Sequence, residues 1–272
     1  MFSIDLECAQ AVSDPAQKDM TIAELWEAGC TGIVELPDTG DTAHLRAFFD
    51  DDALAGGLRE RFGGEVKPAD LRDWVAFARE HLQPMEIGER LFVTPEWRDD
   101  ATPAGRVRIE VNAGLAFGTG AHETTRMCLE AIERHVRAGM TVLDVGTGSG
   151  ILSEAALKLG AARAFACDTD HGAVIVAREN FGRAGVGVPV FVGSADGVGS
   201  AVADLIVANI SPAWIAELAG EWVRILKPGG VAILSGFEAA DVVVVSAAIA
   251  KAGGRVTGEF GELEWRMIEV RS

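Results

Sequence analysis

Tyrosine is absent from the 272 residues, and with it goes the Tyr-Lys acid of one major class of nicotinamide reductases. Cysteine is nearly as scarce. Cys8, Cys30, Cys128 and Cys167 form no C-x-x-C pair and show no metal-ligand spacing, so they read as small buried hydrophobes in a reducing compartment. No metal site is expected. Basic residues are few and never clustered: 24 Lys and Arg stand against 41 Asp and Glu, a formal charge of −17. Such a surface repels a phosphate backbone, which excludes nucleic acid as a direct partner and favours a basic protein. Long apolar runs are missing too. The longest, Val242–Ala250, is too short to span a bilayer, and "MFSIDLECAQ" has no positive region followed by an apolar stretch. These absences predict a cytoplasmic protein, read here as a monomer with no membrane contact.

What is present is the composition of a globular chain, 49% hydrophobic and 24% charged, with a mean hydropathy of +0.19. Residues 2–8 alternate as a strand does, and "TIAELWEAG" places Thr21 and Glu24 at capping-box spacing ahead of an apolar stripe, which predicts a helix. Strands over "TGIVELP" and "AHLRAFF" and a helix over Ala53–Phe62 follow, an order that predicts a small ferredoxin-like α+β domain over residues 1–67. Leu71, Trp74, Val75, Ala78 and Leu82 have the spacing of an amphipathic helix that Pro84 ends, so residues 68–84 read as a connector. Residues 85–272 then form the larger domain. Two strand-like runs, "IGERLFV" and "RVRIEV", precede a helix over Glu123–Arg137. Beyond Gly139 strands and helices alternate: "TVLDVG", 151–159, "RAFACD", 171–184, "PVFVG", "DLIVANI", 213–226, "GVAILSG", 240–251. That alternation predicts a parallel sheet covered on both faces, with "GRVTGEF" and "EWRMIEV" pairing antiparallel at its edge.

In "LDVGTGSGIL" a strand runs into Gly146, Gly148 and Gly150, and a helix begins at once. Glycine lets the backbone turn sharply and lets a ligand touch the main chain, while a helix N-terminus offers free N–H groups. Asp168 ends the next strand 22 residues beyond Gly146, where a carboxylate can accept hydrogen bonds from a ribose diol. Together these describe a site for a nucleoside-containing cofactor. The dinucleotide fingerprint needs Gly or Ala at position 151, and Ile151 stands there. The pattern G-x-G-x-G is instead similar to motif I of the S-adenosylmethionine-dependent methyltransferases.

Asn209, at the end of "DLIVAN", either faces the crevice at the sheet's carboxyl edge or caps the next turn. Ser194, after "PVFVG", either approaches an adenine or serves a turn. His122 reads as a cap or loop-ordering group more readily than as a general base, and His44, His81, His135 and His171 read as surface groups. The earlier triplet in "GLAFGTGAHETT" has no preceding strand-to-helix crossover and no downstream acid, so by spacing alone it is a turn.

Taken together, "PMEIGERLFVTPEWRD", "GLAFGTGAHETT", "VLDVGTGSGILSEAALKLGA", "CDTD", "VANI" and the closing "EW" resemble the PrmA family, which methylates the L-eleven protein of the large ribosomal subunit. The resemblance implies a class I S-adenosylmethionine-dependent methyltransferase (Rossmann-like) domain and protein lysine or N-terminal amine methylation. It also implies cofactor contacts at Thr125, Gly146, Asp168 and Asn209, supported by Gly148 and Gly150. Phe117, Gly118, Thr119 and Gly120 match the family loop that folds over the cofactor, and Asn209 would orient the amine. Asn112-Ala113 and "NISP" depart from the family pattern. A methyltransferase of another protein or small molecule, an NAD-dependent oxidoreductase and a non-catalytic cofactor-binding module are the alternative readings.

Overall fold

The computed structural model describes residues 2–9, 18, 20–22, 24–25, 28–30, 32–49, 55–68, 83–111, 120 and 122–272. The connector expected over 68–84 lies, apart from its ends, outside the described residues, as do Phe117, Gly118 and Thr119. The chain divides into two compact units, Met1–His81 and Leu82–Ser272.

In the first unit β1 (Phe2–Ala9), β2 (Gly32–Thr39), β3 (Thr42–Phe49) and β4 (Glu65–Pro68) form one sheet in the order β2-β3-β1-β4. All its pairings are antiparallel. Helical residues occur between 18 and 25, and α1 spans Ala55–Phe62. With β4 included, the order is the β-α-β-β-α-β of a ferredoxin-like unit. The alternation in β3 puts Ala43, Leu45 and Ala47 inward against Ile4, Leu6 and Leu25. Phe2 and Phe49 stack at 5.3 Å between centroids. Asp5 draws Arg46 and Lys67 together across the strands, and the Arg46 guanidinium holds its carboxyl below the usual range despite partial burial.

The second unit opens with a three-stranded sheet, β5 (Met85–Ile87), β6 (Leu91–Pro95) and β7 (Val107–Val111). The run "IGERLFV", expected as one strand, is broken by a turn at Gly88, whose φ of +54° ends β5. Glu133 explains the break: its carboxylate accepts from the backbone N–H groups of Glu89 and Arg90 at 2.9 and 3.1 Å. Glu133 belongs to α2 (Glu123–His135), which packs its Met127, Leu129 and Ile132 inward.

The large sheet contains β8 (Thr141–Val145), β9 (Arg163–Asp168), β10 (Val190–Val192), β11 (Ala203–Asn209), β12 (Leu226–Glu238), β13 (Arg255–Glu262) and β14 (Trp265–Arg271). Its order is β10-β9-β8-β11-β12-β14-β13, parallel as far as β12 and antiparallel beyond. Helices α3 (Ile151–Lys158), α4 (His171–Ala184), α5 (Pro212–Glu217), α6 (Ala219–Ile225) and α7 (Val242–Lys251) complete the unit. Expected as one helix over 213–226, α5 and α6 are separate, with Leu218 between them.

Both sheet faces are buried, as the near-continuous apolar strands require. Val142, Leu205, Val207 and Ile233 face one core, and Leu143, Val145, Ile206, Ala208 and Leu234 face the other. Asp204 ties the strand starts together, accepting from the Thr141 N–H at 2.8 Å and from Lys227 at 2.7 Å. The four cysteines are buried and form no disulfide, as expected of small buried hydrophobes. His171 is exposed, His44 is half-buried, and His135 pairs with Glu269 at 2.9 Å, so the last two are not plain surface groups. His81 lies outside the described residues.

Candidate functional site

Strand order reverses at β8: β9 and β10 lie to one side, β11 and β12 to the other. A crevice therefore opens outside the carboxyl ends of β8 and β11, the place where open α/β sheets bind ligands. Register brings the singled-out residues to this edge. Val145 pairs with Ala208 and with Cys167, so Gly146, Asn209 and Asp168, each the next residue, stand side by side. Val192 pairs with Asp168, which places Ser194 two residues past the same edge.

The glycine loop is shaped by its neighbours. Gly146, Gly148 and Gly150 have φ of +73°, +52° and +87°, where a side chain is strained. A Cβ on Gly146 would sit 2.3 Å from Ile210, and one on Gly150 would sit 2.5 Å from the buried ring of Phe181. The Gly148 N–H donates to Asp168 Oδ2 at 2.9 Å, and the Asp170 N–H donates to Oδ1 at 3.0 Å. Asp168 thus reaches back to the loop that the sequence reading placed beside it.

Beneath the loop lies Asp144, which that reading passed over. It is fully buried on β8, and its Oδ2 accepts from Thr147 Oγ1 at 2.8 Å, Ser153 Oγ at 2.8 Å and Ser153 N at 3.2 Å. These bonds clamp the loop's start to the first turn of α3. Burial pushes the Asp144 carboxyl up to about 6, against the pull of Ser153 and Thr147. Its Oδ1 has no partner among the described residues. The signal was an acid in the middle of an apolar strand directly ahead of the glycines, where a carboxylate must be internally satisfied.

On the other side of the crevice, Asn209 Nδ2 lies 3.1 Å from Thr124 Oγ1 and 3.4 Å from Thr125 Oγ1. Both threonines are buried in the first turn of α2. Asn209 and Thr125, linked beforehand only by the family resemblance, therefore meet. His122 is the N-cap of α2: its Nδ1 accepts from the Thr124 N–H at 3.3 Å and lies 2.8 Å from Thr124 Oγ1. The cap reading of His122 holds, and burial lowers its ring pKa. Trp265 of β14 meets the imidazole edge-on at 4.8 Å between centroids.

Gly120, with φ of +82°, packs near Ile151, the first residue of α3, so the end of the earlier triplet lies over the start of the helix that follows the later one. Ser194 caps a 3₁₀ turn through its backbone carbonyl, and its hydroxyl makes no capping bond. A groove of about 340 Å³ between α2 and β13 lies apart from these residues, and its Arg126 and Arg134 already pair with Glu262 and Glu269. No group of His, Cys, Asp or Glu that could hold a metal occurs among the described residues.

Main-chain N–H groups at a helix N-terminus, a carboxylate at the next strand end and an amide across the crevice fit the parts of S-adenosylmethionine, whose ribose diol and amino acid group need acceptors and donors. Comparison with known proteins agrees. Residues 15–272 match the model of the family described as ribosomal protein L11 methyltransferase (PrmA). The ribosomal protein L11 methyltransferase of Symbiobacterium thermophilum is 40% identical over 225 residues, 80% of this chain and 72% of that one. That of Gloeobacter violaceus is 43% identical over 220 residues, 79% and 69% of the two chains. The crystal structure of the ribosomal protein L11 methylase from Lactobacillus delbrueckii subsp. bulgaricus, 31% identical, superposes with a TM-score of 0.65 over 70% of this chain and 98% of that one. With its glycine loop, acid and amide gathered at one switch point, the chain belongs to the PrmA family of S-adenosylmethionine-dependent ribosomal protein L11 methyltransferases.

Proposed function

We propose that this protein transfers methyl groups to lysine or N-terminal amines of ribosomal protein L11 in the cytoplasm, acting as a monomer. The observation that carries the reading is the meeting of Gly146, Asp168 and the Asn209–Thr125 pair at one strand edge. S-adenosylmethionine supplies an electrophilic methyl group on a sulfonium. Asp168 would hold its ribose diol, and the Gly146–Gly150 loop and the start of α3 would hold its amino acid end. Ser194 stands where an adenine edge would lie, and Thr125 closes the site from α2.

Methyl transfer asks for a neutral amine aligned with the S–CH₃ bond, so positioning accounts for most of the catalysis. A lysine amine has a solution pKa of about 10.4, which desolvation beside a cationic centre lowers. Asn209 presents an amide at the mouth of the crevice and orients the amine; the proton leaves to water. Recognition of the substrate falls to the N-terminal domain, residues 1–67, and the formal charge of −17 complements a Lys-rich protein.

The test separates binding from chemistry. Asn209→Ala should slow methylation at saturating cofactor by about 10- to 100-fold, the scale of a misplaced reactant. Asp168→Ala should weaken cofactor binding by calorimetry about tenfold or more, for loss of a charge-assisted bond pair. Full methylation by Asn209→Ala at saturating cofactor would remove Asn209 from the reaction.

A further inference from the structure

We infer that His122 is a positioning residue: through the Thr124 hydroxyl it dictates which end of the Asn209 amide faces the substrate. The inference rests on the reading above, in which Asn209 meets the amine.

A threonine hydroxyl can either donate or accept, so its contact with Asn209 does not by itself say whether nitrogen or oxygen of the amide turns inward. His122 removes the ambiguity. Its Nδ1 accepts the Thr124 backbone N–H at 3.3 Å, so that nitrogen must carry a lone pair and the ring proton must sit on Nε2. Thr124 Oγ1, 2.8 Å from the same Nδ1, then has to donate its one proton there. With that proton spent, Oγ1 is an acceptor toward Asn209, and the amide nitrogen at 3.1 Å must point at it. Oδ1, with no hydrogen bond among the described residues, is the end presented outward, and it is an acceptor for a substrate N–H.

Protonating His122 reverses the chain. With a proton on Nδ1 the ring donates to Thr124 Oγ1, the hydroxyl donates to Asn209, and the amide turns its oxygen inward and its NH₂ outward. An outward NH₂ offers nothing to an amine N–H. Among the described residues, the groups facing the ring include Glu123 and Arg126 of α2, Glu262 of β13 and Glu264 of the following turn, with Trp265 of β14 against its edge. Glu123 Oε2, at 3.9 Å, lies beyond hydrogen-bond reach of Nδ1. Burial outweighs the three carboxylates and keeps the ring neutral below its ordinary 6.5.

The test uses the full chain. Imidazole nitrogen shifts from isotope-labelled histidine should show His122 neutral with the proton on Nε2, and Thr124→Val, which keeps the backbone cap, should shift the Asn209 side-chain amide signal. Thr124→Val should lower kcat about tenfold with cofactor affinity changed by less than about twofold, and Thr124→Val/Asn209→Ala should be no slower than Asn209→Ala alone. His122→Asn keeps a capping acceptor but does not titrate, so the wild-type rate should fall relative to this variant only as pH drops below about 6.5, and the two should run parallel above it. A neutral His122 carrying its proton on Nδ1, an Asn209 amide signal indifferent to Thr124→Val, or Thr124 and Asn209 effects that simply multiply would each overturn the inference. Full activity in Asn209→Ala would instead remove the function assigned to Asn209, while the tautomer and the amide signal still decide whether His122 sets its orientation.

Discussion

Asp144 and Gly150 show how single residues maintain the glycine loop. The Asp144 carboxyl rises from 3.8 to about 6 on folding because burial disfavours its charge. The folded state therefore binds the proton more tightly than the unfolded one, and stability falls as pH rises through that window. Against Asp144→Asn, the wild type should lose up to about 3 kcal/mol of relative unfolding free energy between about pH 4 and pH 7. Parallel curves for the two proteins in urea titrations would contradict the assignment. At Gly150 a methyl group would strike Phe181 at 2.5 Å, with φ already at +87°. Gly150→Ala should cost about 1–3 kcal/mol and lower the thermal midpoint. Asp168 and Asn209 were legible because each ends a strand recognisable by its pattern, and the glycines because they directly follow one. Thr124 and the orienting role of His122 were not, because both depend on α2 reaching across the crevice to β11, a contact that no local spacing encodes.

Elements were legible where periodicity was strong and hidden where a tertiary contact breaks it. The alternating strands and helices after Gly139 follow the pattern closely, and the β13–β14 pairing is antiparallel as expected. The β5–β6 turn was hidden because its partner, Glu133, lies on a helix 43 residues from Arg90. β4 was hidden because four residues are too few for a pattern. The α5–α6 break has a physical anchor in Trp222, which is fully buried and donates from Nε1 to the Ile215 carbonyl at 2.9 Å. Removing the indole by Trp222→Ala should cost about 3–5 kcal/mol in urea unfolding. Trp222→Phe, which keeps much of the packing and forfeits the hydrogen bond, should cost about 1–3 kcal/mol. A Trp222→Phe protein as stable as the wild type would mean that the bond to Ile215 contributes nothing.

For the whole molecule, charge and the division into two units lead to separable expectations. With a formal charge of −17, the KM for a basic protein substrate should rise with salt, while cofactor affinity, set inside the crevice, should barely move. Each unit has its own hydrophobic core. Residues 82–272 alone should therefore bind S-adenosylmethionine by calorimetry yet fail to methylate ribosomal protein L11; loss of cofactor binding in that fragment would contradict a division of labour between the units. The most direct test is transfer of labelled methyl groups from S-adenosylmethionine to purified ribosomal protein L11 by the full chain and by Asn209→Ala. The account predicts label in L11 amines with the wild type and about 10- to 100-fold less with the variant; an unlabelled L11 alongside tight cofactor binding by the wild type would contradict it.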